Sequence, residues 1–239
     1  MTQKRAYISV SNKENIEILA KNLIDKKYEI ISTGNTFKYL KEKGINAIES
    51  STITGFNELL GGKVKSLHPE IFAGILANAQ ERQDEKIKAF DLVAVDLYPF
   101  ENYMDKNVEL ETLISNIDIG GVALLRAGAK NYQNVIVISD KKDYTIDLDE
   151  IDETKRQELA LKVFLKTSKY DFLINKKLSK EFKMEQDNKT YYFEKIQSLR
   201  YGENPHQKAG LYSLIKNWIG FYWMAKKCLI ITFLIQLLR

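Results

Sequence analysis

Two short stretches of this chain concentrate chemically capable side chains beside glycines. Residues 61–69 read Gly-Gly-Lys-Val-Lys-Ser-Leu-His-Pro, and residues 116–121 read Asn-Ile-Asp-Ile-Gly-Gly. Neither has the period of an amphipathic helix or the length needed for core packing. If the first stretch is extended, Lys63 and Lys65 point to the same face, with attachment points roughly 6 to 7 Å apart. One ammonium could then meet an anion while the other meets a reacting group, with the Ser66 hydroxyl beside them. Loop lysines are usually just solvated; Gly61, Gly62, His68 and Pro69 shift the weight toward a shaped pocket. In the second stretch Asp118 lies between two isoleucines, where a carboxylate needs partners if it is buried. A helix N-cap is its simplest role.

Further polar residues follow apolar runs. Ser32, Thr33, Gly34, Asn35 and Thr36 lead into a helical pattern, and a helix N-terminus suits a phosphate. An ordinary hydroxyl cap explains the same residues equally well. Ser9 and Ser11 carry the same two readings. Tyr98 follows an apolar run and could simply anchor a strand end. Lys130 and Asn131 fall near a helix end, where a cation suits the dipole.

The elements that must position these groups alternate in type. Residues 5–10 read as a buried strand, and Ser11 or Asn12 can cap a helix carrying Ile16, Leu19, Ala20 and Leu23 at helical spacing. Residues 28–31 form a second strand, followed by a helix from near Phe37 to Gly44. Residues 45–48 are a short third strand. Residues 91–97 give the clearest buried strand, which Pro99 ends because it has no N–H to donate. A helix over 121–131 and a strand over 134–139 follow. The alternation predicts an α/β fold, a mostly parallel sheet with helices on both faces. Ligands in such sheets bind beyond the carboxyl ends of the strands, which places residues 9–13, 32–36 and 98–101 at one rim. From 152 to 182 the pattern is helical and Lys-rich, with Leu161, Phe164, Leu165, Leu173 and Leu178 expected to face inward. Residues 185–189 are a polar break suited to a linker.

Bulk properties exclude several classes. With 239 residues the chain can bury a full core, and its 36 basic against 32 acidic residues is too mild an excess to argue for nucleic acid. One cysteine allows no disulfide within the chain, which fits a reducing cytoplasm. The N-terminus lacks the apolar core of a signal peptide. No HExxH, CxxC, Walker or GxGxxG pattern occurs, so neither a metal nor a redox cofactor is expected. The last residues, 218–239, hold both tryptophans, the cysteine and three basic residues without an acid. Residues 228–238 are mostly apolar yet too few for a membrane span.

Six segments together carry a resemblance. Ile-Ser-Val-Ser-Asn-Lys, Ser-Thr-Gly-Asn-Thr, Lys-Val-Lys-Ser-Leu-His-Pro, Leu-Tyr-Pro-Phe-Glu, Asn-Ile-Asp-Ile-Gly-Gly and Leu-Arg-Tyr-Gly-Glu-Asn-Pro-His-Gln occur in that order. From residue 4 to about 217 the chain resembles the N-terminal half of the bifunctional AICAR transformylase/IMP cyclohydrolase family. The resemblance implies a methylglyoxal-synthase-like core over 1–145, a helical extension over 146–195 and the start of a truncated transformylase domain over 196–217. It also implies a cytoplasmic enzyme of purine biosynthesis, homodimeric at full length, that acts on a purine nucleotide without a cofactor. Neither nucleic acid nor membrane is an expected partner. The implied reaction is ring closure of formyl-AICAR to inosine monophosphate with loss of water.

By this resemblance Lys65, Tyr98, Asp118 and Lys130 surround the reacting groups, with Ser66 nearby. Ser9, Ser11, Lys13, Ser32, Thr33, Gly34, Asn35, Thr36 and Lys63 hold the nucleotide, chiefly its phosphate. Gly120, Gly121 and Asn131 complete the binding set. Two positions depart from the family. Asn35 stands where a second glycine is usual, and Lys63 replaces an arginine, keeping the charge without the bidentate fork. The transformylase half's own catalytic lysine and histidine are absent, so formyl transfer from a folate is not expected. Beyond Trp218 the resemblance stops. Residues 224–231 can be back-translated so that a reading two bases later yields Gly-Lys-Glu-Met-Ser-Tyr-Asn, similar to the family's next motif, as a frameshift would leave it. Two other readings remain open: a non-catalytic nucleotide-binding or regulatory module, and a methylglyoxal-synthase-like lyase, since fold alone does not decide function.

Overall fold

Short apolar runs separated by amphipathic segments build a parallel α/β sheet in the computed structural model. Its described residues are 3–62, 64–84, 86–185, 187–188, 190–201, 204–214 and 222–225. The chain begins with β1 (Arg5–Ser9), α1 (Ile16–Asp25), β2 (Glu29–Ser32), α2 (Gly34–Glu42) and β3 (Ala47–Glu49). It continues through α3 (Ser50–Thr54), α4 (Pro69–Leu76), β4 (Leu92–Val95), α5 (Leu110–Ser115), α6 (Gly120–Lys130), β5 (Ile136–Ile138) and the 30-residue α7 (Glu153–Phe182). Then come β6 (Phe193–Leu199), β7 (Ala209–Leu214) and β8 (Tyr222–Ala225). The chain divides into two compact units, residues 1–177 and 178–239.

In the first unit five strands lie in the order β3-β2-β1-β4-β5, every pair parallel. The winding reverses between β1 and β4. Because such crossovers are right-handed, the helices on the two sides of that reversal cover opposite faces. Burial of the whole of Leu92–Val95 fits a strand covered on both faces. Ile8 is level with both Ser32 and Ala94, and Ser9 with Val95, so the loops after β1, β2 and β4 emerge at one rim. The core around this sheet includes Tyr7, Ile30, Ile31, Leu40, Phe90 and Ile138. The second unit holds an antiparallel sheet in the order β6-β7-β8.

Several expectations need correction. Neither Ser11 nor Asn12 caps α1. Its cap position is Asn15, at φ 65 and without a side-chain cap bond, while Ile16, Leu19, Ala20 and Leu23 form the buried face as expected. Helix α2 starts at Gly34, three residues before Phe37.

The inward face of α7 is also rotated from the expected one. Leu173 is buried, but Leu161 and Leu165 are 69% and 59% exposed and Phe164 is 39% exposed. The buried face is instead Leu159, Ala160, Val163, Thr167, Tyr170 and Leu173. Two stripes of this helix are apolar enough to pack, and hydroxyl and ammonium contacts select between them. Tyr170 binds the Asn116 and Asp118 backbone, and Lys166 binds the Ser139 carbonyl.

Of the expected linker at 185–189, only residues 185, 187 and 188 are described, and of the tail only 222–225, in β8. Among the described residues no helix is long and apolar enough to cross a membrane.

Candidate active site

The site forms at the reversal between β1 and β4, where an open α/β sheet leaves a crevice beyond its strand ends. Asp96, the residue after β4, crosses that crevice. Its Oδ1 accepts the Ser11 amide and its Oδ2 the Asn12 amide, the latter at 3.0 Å. The loop after β1 is tied a second time through Lys13, whose ammonium donates to the carbonyls of Val10 and Ser11. Burial pushes the Lys13 ammonium below its usual range, and Asp96 pulls it back up. Ser9, the last residue of β1, and Ser11 on this loop are both half-buried.

Beside it, α2 opens without a hydroxyl cap. Thr33 holds the cap position in extended backbone, with no side-chain cap bond. The hydroxyls around it serve the sheet instead: Ser32 donates to the Ile8 carbonyl at 2.7 Å, and Thr36 donates to the Val10 carbonyl while accepting the Val10 amide. The first amides of a helix have no partner within it. Those of Gly34 and Asn35 therefore form a seat for an anion. Gly34 has φ +54, and a Cβ built there would lie 3.3 Å from Lys65 Nζ. The ammonium thus rests against this seat.

Lys65 arrives from the first of the two glycine-flanked stretches. Leu60, Gly61 and Gly62 all have positive φ, and Leu59 bridges to Val64, so the segment turns sharply before Lys65. It is not the simple extended run that the Lys63–Lys65 spacing assumes, and Lys63 itself lies outside the described residues. Ser66 is buried, and the Tyr7 hydroxyl faces the side chains of Ser66 and Ser50 without a formed hydrogen bond. Burial pushes the Tyr7 phenol above its ordinary value. His68 has a local role: its Nδ1 accepts the Glu70 amide, with Pro69 as the first residue of α4.

The second stretch meets the first. A Cβ at Gly120 would touch Leu67 at 4.0 Å, and the Lys65 charge acts on Asp118. Asp118 Oδ1 accepts the Gly121 amide at 2.8 Å, but from one residue before the cap position of α6, which is Ile119 and not Asp118 as read from the sequence. A side chain at Gly121 would strike Oδ2 at 2.5 Å, which explains the glycine. Burial raises the Asp118 carboxyl above the usual range; the Gly121 and Tyr98 amides and Lys65 oppose the shift, and Asp96 adds to it. Tyr98 is 40% exposed, and its phenol is raised first by burial and then by the Asp118 charge. Behind them Tyr170 Oη accepts the Asp118 amide at 2.8 Å and donates to the Asn116 carbonyl at 3.3 Å. Burial is the main cause of its phenol being pushed up to about 12.

Lys130 and Asn131 are not part of this cluster. Lys130 is exposed at the C-terminal end of α6, whereas Asp118 precedes the N-terminal end. Eleven residues of helix, roughly 16 Å, separate them. Asn131 is a structural tie: its Nδ2 donates to the carbonyls of Ile75 and Ala77 at 2.8 and 2.9 Å.

Three residues of the site were missed from sequence: Asp96, Tyr170 and Lys166. Asp96 had a signal, as an acid ending an apolar run. The other two lie on α7, far along the chain, and nothing local marks them. Among the described residues no group of three His, Cys, Asp or Glu side chains converges as a metal ion would need.

A parallel sheet reversing at β1/β4, with its polar loops gathered there, defines a methylglyoxal-synthase-like domain. Residues 15–123 match the MGS-like domain family accordingly, and residues 128–225 match the AICARFT/IMPCHase bienzyme family. The chain belongs to that bienzyme family. It is 44% identical over 239 residues to the bifunctional purine biosynthesis protein PurH of Acetivibrio thermocellus, covering 94% of this chain and 46% of that protein. PurH of Bacillus subtilis is 46% identical over 226 residues, covering 89% and 44% respectively. The chain thus spans about half the length of the curated relatives it matches. Among solved structures, the crystal structure of ForH superposes with a TM-score of 0.64 at 28% identity, covering 74% of this chain and all of that one. The family match continues to residue 225, as does β8, so the resemblance does not stop at Trp218.

Proposed function

We propose that this chain acts in purine biosynthesis as an IMP cyclohydrolase, closing the six-membered ring of formyl-AICAR to give inosine monophosphate and water. One observation carries the reading. Lys65 rests against the α2 N-terminus and also bears on Asp118, so an anion seat and a buried acid share one cation.

In this reading the nucleotide phosphate takes the α2 amides, with Ser9, Ser11 and Lys13 on the neighbouring loop. The reacting carboxamide and formyl groups then lie between Lys65, Tyr98 and Asp118. An amide nitrogen is a weak nucleophile, so holding it against the formyl carbon supplies much of the rate. As the N–C bond forms, the nitrogen loses a proton to the Asp118 carboxylate. A carboxyl raised by burial is the better base for this at neutral pH. The formyl oxygen gathers negative charge, stabilised by the Lys65 ammonium or the Tyr98 hydroxyl. It takes up one proton to become a hydroxyl and a second to leave as water. The formamide nitrogen gives up its proton, and the ring C=N bond forms between it and the former formyl carbon, while the attacking nitrogen keeps its second hydrogen. Lys130 has no step here, because α6 holds it at the opposite end from Asp118.

Conversion of formyl-AICAR to inosine monophosphate, with nucleotide affinity measured beside it, tests the reading. Turnover supports it. Binding without turnover overturns it in favour of a regulatory module, and methylglyoxal formed from dihydroxyacetone phosphate overturns it in favour of a lyase.

A further inference from the structure

The amides of Ser11 and Asn12 follow a parallel strand at the switch point, where a pair of free amides would make a natural anion nest. Here they are already filled. Asp96 takes one amide with each carboxylate oxygen, acting as a built-in anion. The carboxylate is half-buried, and burial raises its pKa against those two amides and the charges of Lys166 and Lys13. Lys166 reaches this place from α7: its ammonium is tied to the carbonyl of Ser139, just after β5. Asp140 and the buried Tyr144 face the same region, and both Asp96 and Asp140 act on the Tyr144 phenol. Thr36 completes the arrangement by pinning Val10, from α2, in both hydrogen-bonding directions.

We propose that Asp96 is a positioning residue for nucleotide binding. Its carboxylate ties the loop bearing Ser11 and Lys13 to the end of β4, opposite the Thr36 tie of that loop to α2, and denies the Ser11 and Asn12 amides to the substrate phosphate. The phosphate is thereby directed to the α2 amides and Lys65, with the side chains of Ser11 and Lys13 beside them. The inference rests on the proposed nucleotide site but not on the identity of the reaction. Asp96 touches no reacting atom. Its loss loosens the loop and leaves two competing anion seats, which weakens productive phosphate binding without altering the chemical step.

The test begins without any ligand. In Asp96→Ala, hydrogen exchange at the Ser11 and Asn12 amides should quicken by at least about tenfold, with β1 itself unchanged. Unchanged exchange at both amides overturns the clamp, whatever the protein binds. The second measurement compares inosine monophosphate with inosine, which lacks the phosphate. Affinity for the monophosphate should fall about tenfold and affinity for inosine should hold, while KM for formyl-AICAR rises and kcat stays within about twofold. Equal loss for both ligands, or a fall in kcat at constant KM, overturns the positioning role. If the alanine variant does not fold, Asp96→Asn serves. It keeps one accepting oxygen but turns an N–H toward the second amide, so smaller shifts of the same sign are expected and no shift overturns the proposal. Wild-type protein that binds neither ligand refutes the nucleotide site, and the exchange result still decides the clamp.

Discussion

Lys65 Nζ lies so close to Gly34 that a methyl group on that glycine would stand 3.3 Å from the ammonium. The two residues are 31 positions apart, one opening α2 and the other on a loop, yet together they place a cation on the open end of that helix. Most of what the site can do follows from this contact and from Asp118 beyond it.

Replacing Gly34 tests the contact directly. Gly34→Ala forces a Cβ into φ +54, a strain of about 1 kcal/mol, and crowds the ammonium. A lower denaturation midpoint and a roughly tenfold loss of affinity for inosine monophosphate are expected. Unfolding curves and calorimetric titration measure the two effects. Unchanged affinity would mean that the anion does not sit at α2.

Lys65→Met removes the charge and keeps the aliphatic stem. Lys65 makes no ion pair within 4.0 Å among the described residues, so stability should stay within about 0.5 kcal/mol. Turnover of formyl-AICAR should fall at least about 100-fold. A folded variant with normal kcat would remove Lys65 from the reaction.

Asp118 predicts opposite effects on stability and activity. Its folded-state pKa is raised by burial, so its proton-linked stability is fully present below the unfolded carboxylate pKa. That stability is lost as pH rises through the raised folded value. Asp118→Asn keeps an oxygen for the Gly121 amide and removes this penalty. The variant should be more stable than wild type at neutral pH, with the difference shrinking toward acid, while turnover drops about 100-fold or more. Melting curves across pH read the first effect; a variant less stable at neutral pH would show that the carboxylate is net favourable in place.

Tyr170→Phe deletes a hydroxyl with two backbone partners, the Asp118 amide and the Asn116 carbonyl. Both would be left unsatisfied in a half-buried setting, which should destabilise the fold by about 1–3 kcal/mol. Urea unfolding gives the number. A loss smaller than about 0.5 kcal/mol would mean that water replaces the hydroxyl.

Much of the frame was legible because it is encoded locally. The run Leu92–Val95 and the spacing of Ile16, Leu19, Ala20 and Leu23 each declare their element through short-range hydrophobic period. The face of α7 was not legible. Its two apolar stripes satisfy the same period, and the choice between Leu161/Leu165 and Ala160/Val163/Thr167 rests on partners tens of residues away. Asp96 shows the same limit in the site. An acid ending a strand has no sequence signal that separates a solvated residue from one holding two amides.

The sequence alone therefore determined the strands of the parallel sheet, helices α1, α2, α6 and α7, the rim on which the polar loops emerge and the family, but not α3–α5 or β6–β8. These depend on local period and on ordered motifs. Only the tertiary structure decided which of those polar residues meet. It brought Lys65 to Gly34 and Asp118 to Tyr98, and gave the Ser11 and Asn12 amides to Asp96. Such pairings are set by strand order, helix length and side-chain reach, which a linear pattern does not contain.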